Sequence, residues 1–355
     1  MIENFTPEFG ESVSLRNSRT DLFLKMYGKC KKDVLGKYAA ADAPWTHISP
    51  RTDEKSRPEP VTFSWICDIP REKLNIVLHI SKTPDFKNEI TAEIGALTAF
   101  ARYNLEVGQK YYWYVENLGE ICEKSGVTSF VTSDEYPRMI YVDGGGTNVR
   151  DLGGITNIDG VRVRQGLLYR GASIDYNRSL SDEGFRVLRE DLGVKTDLDL
   201  RLGDFSDEDP LIRDERESWL ERCFVRGSGY GMAATDSKAY ADMAELFGFM
   251  CRPEIYPAYL HCRSGIDRTG TVMYLLGLIL RIDEEKLLLD YEISVLGYDG
   301  WHERRRELLT EEFIGNLRPL GDDGDDVYRL AEIYFEKCLG LPDALIKLRE
   351  IFLDE

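Results

Sequence analysis

The sequence predicts an all-β sandwich followed by an α/β domain whose central, mostly parallel sheet is flanked by helices. Three observations carry that reading. Short segments with period-two alternation fill residues 1–134. From residue 147 strand-like and helix-like stretches alternate, the pattern of parallel strands joined by crossover helices. Between an apolar run ending at His261 and another starting at Val272 stands His-Cys-Arg-Ser-Gly-Ile-Asp-Arg-Thr-Gly, residues 261–270, which reads as a strand, a loop and a helix start. At 355 residues the chain is long for one core. The expected division is 1–134, a linker over 135–146 rich in turn formers, and 147–355.

In the first part the expected strands are 22–27, 61–67, 75–81, 89–94, 110–115 and 127–132. Val61, Phe63 and Trp65 should share one face of their strand, as should Tyr111, Trp113 and Val115 on a partner. The stretch from Leu105 to Val115, followed by Ser129-Phe130-Val131-Thr132, resembles the later strands of fibronectin type III modules. His47 and His79 have no second ligand at metal spacing, so they read as surface or satisfied core histidines. This domain is assigned to positioning or to a protein partner.

The second part opens with a loop carrying Arg150 and Asp151, then a turn at Asn157-Ile158-Asp159-Gly160. Residues 181–192 have an N-cap serine, acids in the first turn and Gly193 as a stop, which specify a helix. Strands are expected at 194–200, 222–226 and 257–261, and helices at 237–250, 269–281, 284–295, 301–309, 325–339 and 342–352. Asp199 and Arg201 fall at a carboxyl strand end, where open α/β sheets place their sites. The acidic run Asp322, Asp323, Asp325, Asp326 is a solvated loop and helix start, since it lacks the register of a hard-cation loop.

The segment 261–270 carries the chemistry. Five residues between Cys262 and Arg268 suffice to curl the backbone around one tetrahedral anion, with successive N–H groups and the positive end of the next helix aimed at its oxygens. Arg268 closes the ring with a planar fork that a lysine lacks. The same donors favour the thiolate of Cys262, a nucleophile at neutral pH. Thr269 is placed to donate its hydroxyl to that sulfur, and Gly265 lets the backbone approach closely. Arg263, Ser264, Gly265 and Ile266 form the rest of the cradle, and His261 reads as a supporting residue that holds the loop and tunes the thiolate.

This loop resembles the signature of the cysteine-dependent protein-tyrosine phosphatases, more narrowly the bacterial atypical group whose loop reads HCxxGKDRTG. Asn148-Val149-Arg150-Asp151-Leu152-Gly153-Gly154 and Asp197-Leu198-Asp199-Leu200-Arg201 match that group as well. The resemblance covers 147–355 and departs where Ile266 replaces the family lysine, a lost charge that Arg263 restores if it points outward. It implies hydrolysis of a phosphomonoester, most directly phosphotyrosine, through a phosphocysteine, without a metal or other cofactor. It also implies that Asp267 is the general acid; upstream Asp204, Asp207 and Asp236 are the alternatives, as in relatives that use a mobile loop. Near the phosphate loop, Arg150 and Asp151 either contact substrate or tie the loop down.

Composition sets outer bounds. A net charge of −18 disfavours nucleic acid and anionic membrane surfaces as partners, so a phosphorylated protein or small phosphomonoester must be captured by local positive potential. No apolar run approaches the roughly 20 residues that span a bilayer. Seven cysteines without close pairing point to reduced thiols and a cytoplasmic setting.

Overall fold

The structure, a computed structural model, describes residues 1–27, 54–175, 180–201, 215–225, 236–298 and 306–354. Asp204, Asp207, Cys30, His47, Arg226 and residues 301–305 of an expected helix lie outside the described residues. The chain splits into two compact units: residues 1–16 with 58–136, and residues 17–57 with 137–355.

The first unit is β-rich. Strands β1 (Ile2–Thr6), β2 (Ser12–Val13), β3 (Val61–Cys67), β4 (Ile76–Ser81), β5 (Ile90–Gly95), β6 (Ala99–Arg102), β7 (Lys110–Asn117), β8 (Glu123–Lys124) and β9 (Thr128–Thr132) form two sheets, ordered β1-β3-β6 and β2-β9-β7-β4-β5, with β8 on β7. Alternation decides which side chains meet: Val61, Phe63 and Trp65 from one sheet and Tyr111, Trp113 and Val115 from the other are all buried in one cluster. The Phe63 ring meets Trp113 edge-on at 5.2 Å. Strands β1, β2, β6 and β8 were not expected; they are short, and β2 and β8 have only two residues each on which alternation could register.

Residues 22–27, expected as a strand, belong instead to helix α1 (Ser18–Tyr27). The Asn17 side chain accepts the N–H groups of Arg19 (2.9 Å) and Thr20 (2.8 Å), an N-cap that commits the turn to helix. Thr20 and Phe23 are buried on one helical face, while Leu22 points outward. Phe23 packs with Met139, Ile293 and Leu296, so α1 joins the second unit and the expected boundary at 134 is corrected: 17–57 group with 137–355. The expected linker is also replaced by structure, because Met139, Ile140 and Val142 are buried and Arg138–Met139 forms strand β10.

In the second unit β10, β11 (Arg150–Asp151), β12 (Leu168–Gly171), β13 (Thr196–Asp199), β14 (Glu221–Phe224) and β15 (Ala258–His261) make one sheet ordered β10-β11-β12-β15-β13-β14. β12, β15, β13 and β14 run parallel, and the two short members at the β10 edge are antiparallel. The helices are α2 (Asp182–Arg186), α3 (Ser237–Met250), α4 (Asp267–Ile279), α5 (Glu284–Glu292), α6 (Ile314–Leu317), α7 (Val327–Ile333) and α8 (Pro342–Phe352). Ser181 caps α2 by accepting the Gly184 N–H at 3.0 Å, and α2 loosens into a wider π turn over Val187–Asp191 before Gly193 ends it at φ +63°. Asp326 caps α7 through the Arg329 N–H at 2.8 Å, so the acidic run is a loop and helix start.

Candidate active site

Strand β15 is buried on both faces and lies between β12 and β13, with His261 opposite Gly171 on one side and Asp199 on the other. That placement delivers residue 262 at the carboxyl edge of the parallel sheet, where the following turn has no strand partner and must find other bonds. It finds them by curling. Gly265 has φ +65°, and a methyl there would lie 2.0 Å from the Gly171 carbonyl oxygen, so the loop rests directly on the end of β12. The Arg263 carbonyl accepts the Ser173 N–H at 3.1 Å.

The turn leads into α4, whose N-cap residue, Ile266, offers no side-chain cap to the helix amides. Cys262 takes that role. The N–H groups of Thr269 and Ile266 and the Thr269 hydroxyl, buried with no other hydrogen-bond partner, are the donors that act on its sulfur. Burial pushes the thiol up, but the Arg268 charge, the Thr269 hydroxyl and the two amides together outweigh it and hold Cys262 below the ordinary thiol range. Arg268 is steadied by donating from Nη1 to the Leu200 carbonyl at 3.0 Å. The arrangement can hold a thiolate nucleophile beneath an oxyanion.

Residues expected to touch substrate separate into two groups. Arg263 is exposed and Ser264 half-buried, at the mouth, whereas Ile266 is 3% exposed and contributes its N–H rather than its side chain. Arg150 and Asp151, left open between contact and support, have no surface to offer: both are buried behind the loop. Arg150 donates from Nε to Asp290 at 2.8 Å and from Nη2 to the Ser294 hydroxyl at 3.0 Å; Asp151 accepts from Arg138 at 2.6 Å and from the Gly153 and Gly166 N–H groups. They tie the loop's flank down.

That flank includes residues the sequence did not single out. Arg170 donates from Nη2 to the Gly265 carbonyl at 2.6 Å and from Nη1 to Asp290, and the Asn148 side-chain amide donates to the Gly265 carbonyl at 3.1 Å. Glu54 accepts from the Thr147 hydroxyl and from the Tyr298 N–H at 3.0 Å. The available signal was Arg170 itself, a charge inside the apolar run of a buried strand.

Beneath the loop lies a second charged layer. His261 faces Asp197 at 2.7 Å through Nε2, and its Nδ1 is 2.9 Å from the Cys262 carbonyl. Burial disfavours the charged ring, yet the Asp197 and Asp199 carboxylates prevail and lift it to about 9. The two carboxylates therefore favour the charged ring, whose Nε2 faces Asp197 and whose Nδ1 lies against the Cys262 carbonyl. Arg201 holds Asp199 through two bonds of 2.7–2.8 Å and reaches Asp175 as well; Arg222 holds Asp197 at 2.8 Å. Asp197, Asp199 and His261 are close enough to share an ion, but the two arginines and the ring already neutralise those carboxylates.

Asp267 occupies the first turn of α4, half-buried, and accepts a 2.7 Å hydrogen bond from the Tyr291 hydroxyl of α5. Asp236 is exposed just ahead of α3.

Fold and site together define an α/β domain with a mostly parallel sheet and, at its carboxyl edge, a curled loop built around a buried cysteine. The chain belongs to the tyrosine phosphatase family, whose sequence profile matches residues 143–353. A Cupriavidus necator protein named as a tyrosine-protein phosphatase is 30% identical over 167 residues, 41% of this chain and 59% of that protein, so the match spans less than two thirds of the relative's length. A solved structure, the core catalytic domain of the PP-IP phosphatase SIW14 from S. cerevisiae in complex with citrate, is similar at a TM-score of 0.32 and 18% identity, covering 48% of this chain and 90% of that one.

Proposed function

We propose that this chain is a phosphomonoester hydrolase of the protein-tyrosine phosphatase type, acting on phosphotyrosine with dual specificity as its wider reach. Equatorial phosphate oxygens bind the loop amides and the Arg268 fork. The Cys262 thiolate attacks phosphorus in line; the P–O bond breaks, and the leaving oxygen takes a proton from Asp267, giving a phosphocysteine. Asp267, now ionised, takes a proton from water as that water attacks phosphorus. The P–S bond breaks, the thiolate is restored with help from Thr269, and inorganic phosphate leaves. The amides and Arg268 supply the charge neutralisation, so no cofactor takes part in this scheme.

The observation that carries the reading is the curled loop at the end of β15, with Gly265 at φ +65° seated on the Gly171 carbonyl and Arg268 held by the Leu200 carbonyl; the buried Cys262 thiol, held below its ordinary range by the Arg268 charge and the Thr269 and Ile266 donors, supports it. A buried thiol in an unpolarised setting moves the other way, as Cys223 does, pushed up to about 12 by burial and nearby carboxylates. The first unit is read as a fibronectin type III-like sandwich that docks a protein partner. The setting is read as cytoplasmic: the described cysteines other than residue 262 are also unpaired, and among the described residues no helix is long and apolar enough to cross a membrane.

The test is release of inorganic phosphate from an aryl phosphate by the purified chain, with Cys262→Ser as control and phosphopeptides and phosphoinositides compared side by side. Turnover lost in Cys262→Ser, with phosphotyrosine peptide preferred, is the expected result. Absence of phosphate release would leave a silent phosphate-binding module, and preference for the inositides would reverse the substrate order.

A further inference from the structure

We propose that Tyr291 is a positioning residue for Asp267, fixing which carboxyl oxygen exchanges the proton with the leaving group and the attacking water. The inference rests on the reading of Asp267 as general acid and base given above. Tyr291 is 2% exposed on α5, and its hydroxyl lies 2.7 Å from Oδ1 of Asp267. Its ring is packed against the first turn of α4, since a methyl at Gly270 would come within 2.8 Å of Cδ2. The hydroxyl therefore reaches the carboxyl from a fixed base.

The preceding residue strengthens the case. Asp290 receives Arg150 and Arg170, and Arg170 continues to the Gly265 carbonyl in the loop. One turn of α5 thus registers two things at once: the bowl, through Asp290 and Arg170, and the proton donor, through Tyr291. A phenol donating to Oδ1 favours placing the exchangeable proton on Oδ2, so only Oδ2 cycles between acid and base. Without that bond the carboxyl is free to rotate, and the fraction of encounters with a correctly placed proton falls. A reaction with a good leaving group needs little protonation and should not notice; one with a poor leaving group should.

Tyr291→Phe keeps the ring and removes the donor. The readout is kcat for phenyl phosphate divided by kcat for dinitrophenyl phosphate within one preparation, a ratio in which any unfolded fraction cancels. The ratio should fall about tenfold in Tyr291→Phe, with KM for both substrates unchanged, a modest part of the 10²–10⁴-fold that a general acid supplies. In an Asp267→Asn background Tyr291→Phe should change the ratio by less than about twofold, because the group it serves is already gone. An unchanged ratio in Tyr291→Phe, alongside a depressed ratio in Asp267→Asn, overturns the role of Tyr291 and leaves that of Asp267 standing. An unchanged ratio in Asp267→Asn refutes the assignment of Asp267 and the inference with it. Additive falls in the ratio from the two substitutions would show that Tyr291 acts on the loop independently of Asp267, and would overturn the inference.

Discussion

Asp290→Ala should destabilise the second unit severely, and the structure says why. Asp290 is 7% exposed, and its two oxygens each face a guanidinium, Arg150 on Oδ1 at 2.8 Å and Arg170 on Oδ2. Burial pushes the carboxyl up, but the two arginines overcome it and hold it below the usual carboxylate range. Arg170 is itself pushed down to about 10 by burial, with Asp290 opposing and Arg150 adding to the shift. Deleting the carboxylate leaves two buried cations beside each other with no shared counter-charge. Breaking a buried ion pair from one side costs about 3–5 kcal/mol, against a total of about 5–15 kcal/mol for a native domain. For a unit of this size that corresponds to a fall in Tm of roughly 6–20 °C. Urea denaturation at neutral pH, compared with wild type at constant slope, measures it. The carboxyl is depressed in the folded chain, so its contribution is complete above its unfolded value of about 3.9 and is lost as pH falls through the folded one. The gap between wild type and Asp290→Ala should accordingly close in acid. A loss below about 1 kcal/mol at pH 7, or a gap that widens in acid, would refute the ion-pair account.

Three further outcomes rest on the same geometry. Gly265→Ala should remove activity and cost about 1–3 kcal/mol, since φ is +65° and the new methyl would meet the Gly171 carbonyl at 2.0 Å; circular dichroism separates this from global unfolding. Iodoacetamide alkylation of Cys262 should titrate below the ordinary thiol value of about 8.5, and Thr269→Val, which removes a donor to the sulfur, should move the titration upward; an unmoved titration would exclude the hydroxyl. His261, raised from 6.5 to about 9, should add stability that is complete below its unfolded value and lost as pH rises through about 9. That contribution is on the order of 3 kcal/mol. His261→Gln should flatten this alkaline limb, and an unchanged limb would mean the ring is neutral.

What the sequence made legible was contiguous chemistry. The shape of residues 261–270 could be read because each feature is set within a turn or two: a strand end, a glycine at positive φ and a helix start. The alternating aromatics of β3 and β7 were legible for the same reason, as a period of two needs only near neighbours. Residues 22–27 misled because a run of large apolar side chains suits a strand or a buried helix face, and the deciding cap at Asn17 lay outside the run. The charged supports were hidden for a different reason. Arg150 and Asp290 are 140 positions apart, and a charged residue read alone belongs on the surface. Nothing local marks which arginine has a carboxylate waiting across the fold.

Those buried pairs bear on how a chain of net charge −18 would hold the phosphate of the proposed reaction. Arg150 and Arg170 face Asp290, Arg201 faces Asp199 and Asp175, and Arg222 faces Asp197 and Glu217. Arg201 and Arg222 are neutralised where they stand, whereas Arg150 and Arg170 share one carboxylate and Arg170 also feels the Cys262 charge. Their effect is positional: Arg170 and the Asn148 amide fix the Gly265 carbonyl, and His261 fixes that of Cys262, so the peptide N–H groups on the opposite side of each plane keep their aim. Attraction at the loop then comes from oriented dipoles and the Arg268 charge, with Arg170 behind them, acting at short range. Short-range dipoles that need no reorganisation are what a transferring phosphoryl group responds to, while the acidic surface sets only how often a substrate arrives.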